Sequence, residues 1–198
     1  LAPRFVGEFE KGVDYIGDLA TFDADISGHA AIAKELGPYK ISLHSGSDKF
    51  SIYPIAARRT RGLVHLKTAG TSYLEAIRTI AEIDPAFFKE IFKFCLGRYE
   101  QDKLSYHVSA RLERAPGIQE TLTPNDYLDN FDAREIIHVT FGSVLQEKTP
   151  DGTWRFYDRL MALLSQHPEV YANNLERHFV RHLKPFCLKS KPTTTKTK

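Results

Sequence analysis

Apolar positions along the chain fall into short alternating or continuous runs separated by stretches with three- and four-residue periodicity. This pattern predicts strands alternating with helices. Leu1–Val6 reads as the end of a strand, and Lys40–His44 and Leu63–Leu66 as two further short strands. A helix is predicted from an Asp18 cap to about Leu36, with Leu19, Phe22, Ile26, Ala30 and Ala33 on one face and Gly37-Pro38 as its stop. A second, kinked at Pro54, is expected from Asp48 to about Arg59, and a third from a Thr71 or Ser72 cap to about Ile83. Asp84-Pro85 opens a helix to about Tyr99 whose Phe87, Phe88, Ile91, Phe92 and Cys95 belong to a core. Ser105–Ala110 alternates like a strand, and Thr123-Pro124 opens a short helix to about Phe131. Arg134–Leu145 fits a β-branched strand and a helical face equally. Trp154–Leu164 and Glu169–Leu183 read as helices.

Such alternation implies an α/β fold with a parallel sheet and crossover helices. The four or five units expected are about half of an eight-stranded (β/α)8 barrel of the TIM type, which takes ~250 residues. A lone half barrel leaves two sheet edges open, and the chain starts abruptly without Met. It therefore reads as a piece of something longer, with residues 1–186 as the C-terminal portion of a β/α-barrel domain. Residues 187–198 read as a disordered Lys/Thr-rich tail.

Charge changes this picture in one respect. The formal balance of +2 turns to −3 once the five lysines from Lys184 onward are left out, so the body is mildly acidic and nucleic-acid binding is not expected. No apolar stretch approaches the ~18–20 residues of a membrane span. Two cysteines far apart, one of them in an apolar helical pattern, point to free thiols and a reducing cytoplasm.

The chemistry concentrates between Tyr39 and Ser72. His44 is followed by Ser45-Gly46-Ser47-Asp48-Lys49, and His65 by Lys67-Thr68-Ala69-Gly70-Thr71. Parallel strands ending together in polar, glycine-bearing loops build a site at one sheet edge. Two imidazoles on neighbouring strand ends can share a divalent metal, completed by a carboxylate or a third histidine. Lys49 and a helix N-terminus suit an anion, while Asp48 is equally well a helix cap. Lys67 and Thr68 add a cation and a hydroxyl to the same rim. The first loop offers Glu8, Glu10, Lys11, Asp14 and Asp18, any carboxylate of which can act as general base or metal ligand. His138 points to the rim if residues 135–140 are a strand. His178 and His182, four residues apart on a helix, lack the intervening Glu of HExxH and read as a surface or packing pair.

Taken in order, FEKGVDYIGD, LHSGSDKFSIYP, HLKTAGTSYLEA, IHVTFGSVL and ERHFVRHLKPF resemble the C-terminal part of the bacterial tagaturonate epimerase family. The resemblance implies a metal-dependent isomerase of hexuronate breakdown that interconverts D-tagaturonate and D-fructuronate, with Zn, Mn or Ni as its divalent ion. By position, His44 and His65 become metal ligands, and Asp14 and Glu8 acid/base residues. Lys11, Lys49 and Lys67, with Ser45, Ser47, Asp48, Thr68 and His138, become substrate-binding residues. The two ketouronates differ at a carbinol carbon β to the ketone, which retro-aldol cleavage, aldehyde rotation and re-addition would invert. The resemblance also implies an absent N-terminal half carrying further ligands. A metal-dependent aldolase or isomerase on a related sugar, or an inactive sugar-acid-binding fragment, are the alternatives.

Overall fold

A computed structural model of the chain describes residues 1–68, 70–119 and 121–187; the expected disordered tail beyond Cys187 lies outside them. Helix α1 (Leu19–Leu36) starts where Asp18 accepts the Thr21 N–H at 2.7 Å. It buries Phe22, Ile26 and Ala33 and leads to strand β1 (Ile41–His44). Helix α2 (Tyr53–Thr60) returns the chain to strand β2 (Val64–Lys67). The expected start of α2 at Asp48 is corrected by Pro54. With its fixed φ and missing N–H, Pro54 sits in the first turn, so the helix begins at Tyr53.

The two strands pair in parallel, with Ile41 opposite Val64, Ser42 opposite His65, Leu43 opposite Leu66 and His44 opposite Lys67. The other edge of β1 meets the first residue. The Leu1 amine donates to Lys40 O at 3.0 Å and Ser42 N donates to Leu1 O at 2.7 Å, the pattern of a parallel neighbour. Period two divides the sheet into two faces. Ile41 and Leu43 are buried against Phe22, Ile26, Tyr53 and Ala56, with Val64 and Leu66 packed alongside. Ser42, His44, His65 and Lys67 occupy the opposite, open face.

The rest is helical: α3 (Thr71–Ile83), α4 (Pro85–Asp102), α5 (Pro124–Leu128), α6 (Phe131–Val139), α7 (Phe141–Gln146), α8 (Tyr157–Gln166) and α9 (Pro168–Leu183). Asp84 caps α4 by accepting Phe87 N–H, as its position before Pro85 predicts. A second core forms here, with Phe88 and Phe92 stacked and Tyr127 edge-on to both. Cys95 is a buried free thiol within it, and Cys187 is free and exposed.

Several expectations do not hold. Among the described residues the sheet has two strands rather than four or five, so the fold they show is mostly helical α/β with a small parallel sheet, and half a barrel is not seen in them. Residues 105–110 are no strand, because carboxylates take their N–H groups: Glu10 and Glu135 accept from Ser109, and Glu135 from Ala110. Arg134–Leu145 resolves into α6 and α7, which meet at Thr140. Leu1–Val6 contributes one backbone pairing rather than a strand.

Candidate active site

The loops that follow β1 and β2 open on the same end of the sheet, where α/β proteins gather ligands. A cavity of about 360 Å³ lies there, lined by Phe9, Lys11, His44, Ser45, Gly46, Lys67 and Thr68. Five residues expected from the sequence to belong to the rim (Lys11, His44, Ser45, Lys67 and Thr68) therefore share one concavity. Lys11 lies across Gly46, whose positive φ of 72° and lack of Cβ let the Lys11 ammonium sit where a side chain would be. His65 faces the same open side but two residues lower, with its Nδ1 hydrogen-bonded to Ser42 Oγ at 2.9 Å.

The remaining candidates sit elsewhere. Lys49 is almost fully buried, and its ammonium donates to Glu10 O, Val13 O and Ser47 Oγ at 2.9, 2.7 and 2.6 Å. All three N–H bonds are directed inward, so it fastens the first loop beneath the cavity. Burial, opposed by Asp14 and Asp48, brings its ammonium down to about 8. Ser47 is buried in the same knot, 3.1 Å from Glu10 O. Asp14 accepts the N–H groups of Tyr15 and Ser51 and the Ser51 hydroxyl, and lines a different cavity with Phe50, Arg181 and Lys184. Glu8 is exposed and meets His107 Nε2 at 3.0 Å. His138 is on a helix, not a strand, and still reaches the rim loops. Its ring packs on Gly12 and Gly70, where a Cβ at Gly70 would lie 2.1 Å from Cε1. Burial, reinforced by Arg134, Lys11 and Lys49, brings its imidazole down to about 4, so it is neutral.

Two clusters were not legible in the sequence. Glu10 and Glu135, nearly fully buried, share the amide of Ser109; Glu10 also accepts the Ser109 hydroxyl and Glu135 the Ala110 amide. Burial, and then the Glu10 charge and hydrogen bond, push the Glu135 carboxyl up to about 7, against the pull of those amides. The second is Asp48, His178 and His182, which bring one ligand atom each within 4.8 Å of one another. The i, i+4 spacing in ERHFVRHLKPF was the available signal; nothing in the sequence pairs that helix with Asp48. Here burial would raise the Asp48 carboxyl, but hydrogen bonds from both histidines outweigh it and hold it far below the carboxylate range.

A sequence profile described as tagaturonate epimerase matches residues 1–186. The chain belongs to the tagaturonate epimerase family. It is 45% identical over 185 residues to the tagaturonate/fructuronate epimerase of Thermotoga maritima, a match covering 92% of this chain and 37% of that protein. Crystal structures of the fructuronate-tagaturonate epimerase UxaE from Cohnella laeviribosi, native and glycerol-complexed, superpose with a TM-score of 0.89 at 40% identity. They cover 95% of this chain, which spans 39% of theirs. Against these epimerases the chain is thus well under half length. Among the described residues no helix is long and apolar enough to cross a membrane.

Proposed function

We propose that the chain supplies the ketouronate-binding rim of an epimerase interconverting D-tagaturonate and D-fructuronate. The observation that carries this reading is the shared cavity of Lys11, His44, Ser45, Lys67 and Thr68 at the carboxyl ends of β1 and β2. A ketouronate is a small polyol with one carboxylate and a ketone. Two ammonium groups suit the carboxylate, and hydroxyls and an imidazole suit the polyol and the carbonyl. The relatives named above are called epimerases of these two acids.

Inversion β to a ketone follows from retro-aldol chemistry. A base takes the proton of the β-hydroxyl, the bond between the α and β carbons breaks, and the electron pair passes to the ketone as an enediolate. The released aldehyde turns its other face and the same bond re-forms, with the proton returned, so no redox partner is consumed. Lys11 and Lys67 hold the carboxylate while the two halves separate, and His44 lies beside the reacting oxygens. Asp14 and Glu8, the sequence's acid/base candidates, face Ser51 and His107, so their part in the reaction requires a movement of the first loop.

A divalent cation, when bound, supplies Lewis-acid stabilisation of the developing oxyanion. His44 and His65 fit such an ion as part of a ligand set. Both are on the open face of the sheet, and the Ser42 bond on His65 Nδ1 orients the ring with Nε2 free, as ligating histidines are oriented. Two imidazoles do not complete a site, and we assign the remaining ligands to the segment that the longer relatives carry. The same segment would extend β1 and β2 into a larger parallel sheet of barrel type.

The test is conversion of D-tagaturonate with Mn²⁺, Ni²⁺ or Zn²⁺, followed by the appearance of D-fructuronate. A related aldolase would release a free aldehyde instead, and a binding fragment would take up the sugar acid without turnover. Metal content should fall in His44→Ala and His65→Ala. Unchanged metal content in both would rule out this ligand assignment.

A further inference from the structure

Asp48, His178 and His182 have the donor set of a metal site, yet their geometry is that of a hydrogen-bonded cluster. His178 Nε2 lies 2.7 Å from Asp48 Oδ2, and His182 Nδ1 lies 2.6 Å from Oδ1. Those are charge-assisted hydrogen-bond lengths. Ligand atoms each about 2.0–2.1 Å from one tetrahedral cation would stand over ~3 Å apart. Both Asp48 oxygens are also taken a second time, Oδ1 by the Tyr53 hydroxyl and Oδ2 by the Thr71 hydroxyl, each at 3.0 Å. The other nitrogen of His178 faces Glu75 Oε1 at 3.2 Å. With a carboxylate beside each ring nitrogen, His178 is favoured as the imidazolium, which keeps no lone pair for a metal.

We infer that His178 and His182 are positioning residues that fasten the Ser45–Lys49 loop to α9 through Asp48. The reasoning follows the connections. Asp48 sits between Ser47 and Lys49, whose side chains hold the carbonyls of Glu10 and Val13, and three residues after Ser45 at the cavity wall. Its other partners are Tyr53 in the first turn of α2, and Thr71 at the start of α3. Glu75, one turn further along α3, holds the far side of His178 and is itself met by Arg78 at 3.2 Å. Phe50 packs edge-on against His178 and Tyr53 against His182. One carboxylate thereby ties α2, α3 and α9 to the loop that shapes the cavity. What the fastened loop does for a ketouronate rests on the function proposed above; the fastening itself does not.

Two measurements on this chain test it. In the first, nitrogen-15 NMR of the imidazoles is recorded at neutral pH with and without equimolar Zn²⁺. The lock predicts both ring nitrogens of His178 protonated and its signals unmoved by Zn²⁺. Loss of the Nε2 proton together with retained zinc would overturn the inference in favour of a metal site. In the second, amide hydrogen exchange is followed through residues 45–49. His178→Ala and His182→Ala should speed exchange there by about 10- to 100-fold, the range of a charge-assisted hydrogen bond, with amides of α4 unchanged. His178→Gln and His182→Asn, which place a donor at the Nε2 and Nδ1 positions, should restore much of the protection. Unchanged exchange in the alanine variants, or no recovery in the amide variants, would overturn it. If the alanine variants do not fold, the NMR measurement decides alone.

Discussion

Lys67 and Lys49 show at residue scale what a sequence conceals. Both follow a predicted strand within a few residues, and the family resemblance places both at the uronate carboxylate. Lys67 lines the open cavity, whereas Lys49 spends its three N–H bonds on buried acceptors. Loop composition states that a cation is present; strand register puts Lys67 on the open face beside His44, while the bonds to Glu10, Val13 and Ser47 turn Lys49 inward. Lys67→Ala should therefore weaken ketouronate binding roughly tenfold or more with little loss of stability, as read by titration calorimetry beside urea unfolding. Equal binding would remove Lys67 from the site. Glu135 gives a pH prediction. Its carboxyl is raised from an ordinary value near 4.5 to about 7 in the fold, so its contribution to stability is complete below about 4.5 and is lost as pH rises through about 7. Urea midpoints should fall from about pH 4.5 to about pH 7 and level off above it in the wild type, and Glu135→Gln should flatten that slope. A wild-type midpoint that rises over the same range would contradict the raised Glu135 carboxyl.

At the scale of elements, helices with explicit caps were the most legible. Asp18 and Asp84 each precede an apolar periodic run, and both cap as expected. Asp84 does more than the sequence indicated, because Arg159 of α8 meets its second oxygen at 2.6 Å. Asp84→Ala should cost about 1–2 kcal/mol in thermal or urea unfolding, while Asp84→Asn, which keeps the cap oxygen, should recover most of it. Identical losses in both variants would place the effect in the Arg159 pair instead. Strands were less legible, for a physical reason. Residues 105–110 alternate as a strand does, but their amides find Glu10 and Glu135 rather than a neighbouring strand. Residues 134–145 carry β-branched side chains on a helical face, and packing of Ile136, Ile137, Val139 and Val144 into the second core settles them as helix. The pairing of α9 with Asp48 spans about 130 residues of sequence, and no local pattern encodes it.

At the scale of the whole molecule, the fold divides between a parallel sheet with one open face and a helical body that holds its loops in place. The rim order, with histidine then polar loop on consecutive strands, was legible because local composition follows local function. The extent of the sheet was not: two strands are present among the described residues where four or five were expected, and the relatives are more than twice as long. On the proposed function, the reaction takes place at the open face of Ser42, His44, His65 and Lys67. The most direct test joins this chain to the segment that its longer relatives carry and follows D-tagaturonate and D-fructuronate with a divalent metal present, in the wild type and in His44→Ala. The wild type should interconvert the two acids, with a loss in the variant of at least about 100-fold, since losing even a ligand's hydrogen-bonding partner can cost that much. Interconversion at the wild-type rate in His44→Ala would show that the reaction takes place somewhere other than this rim.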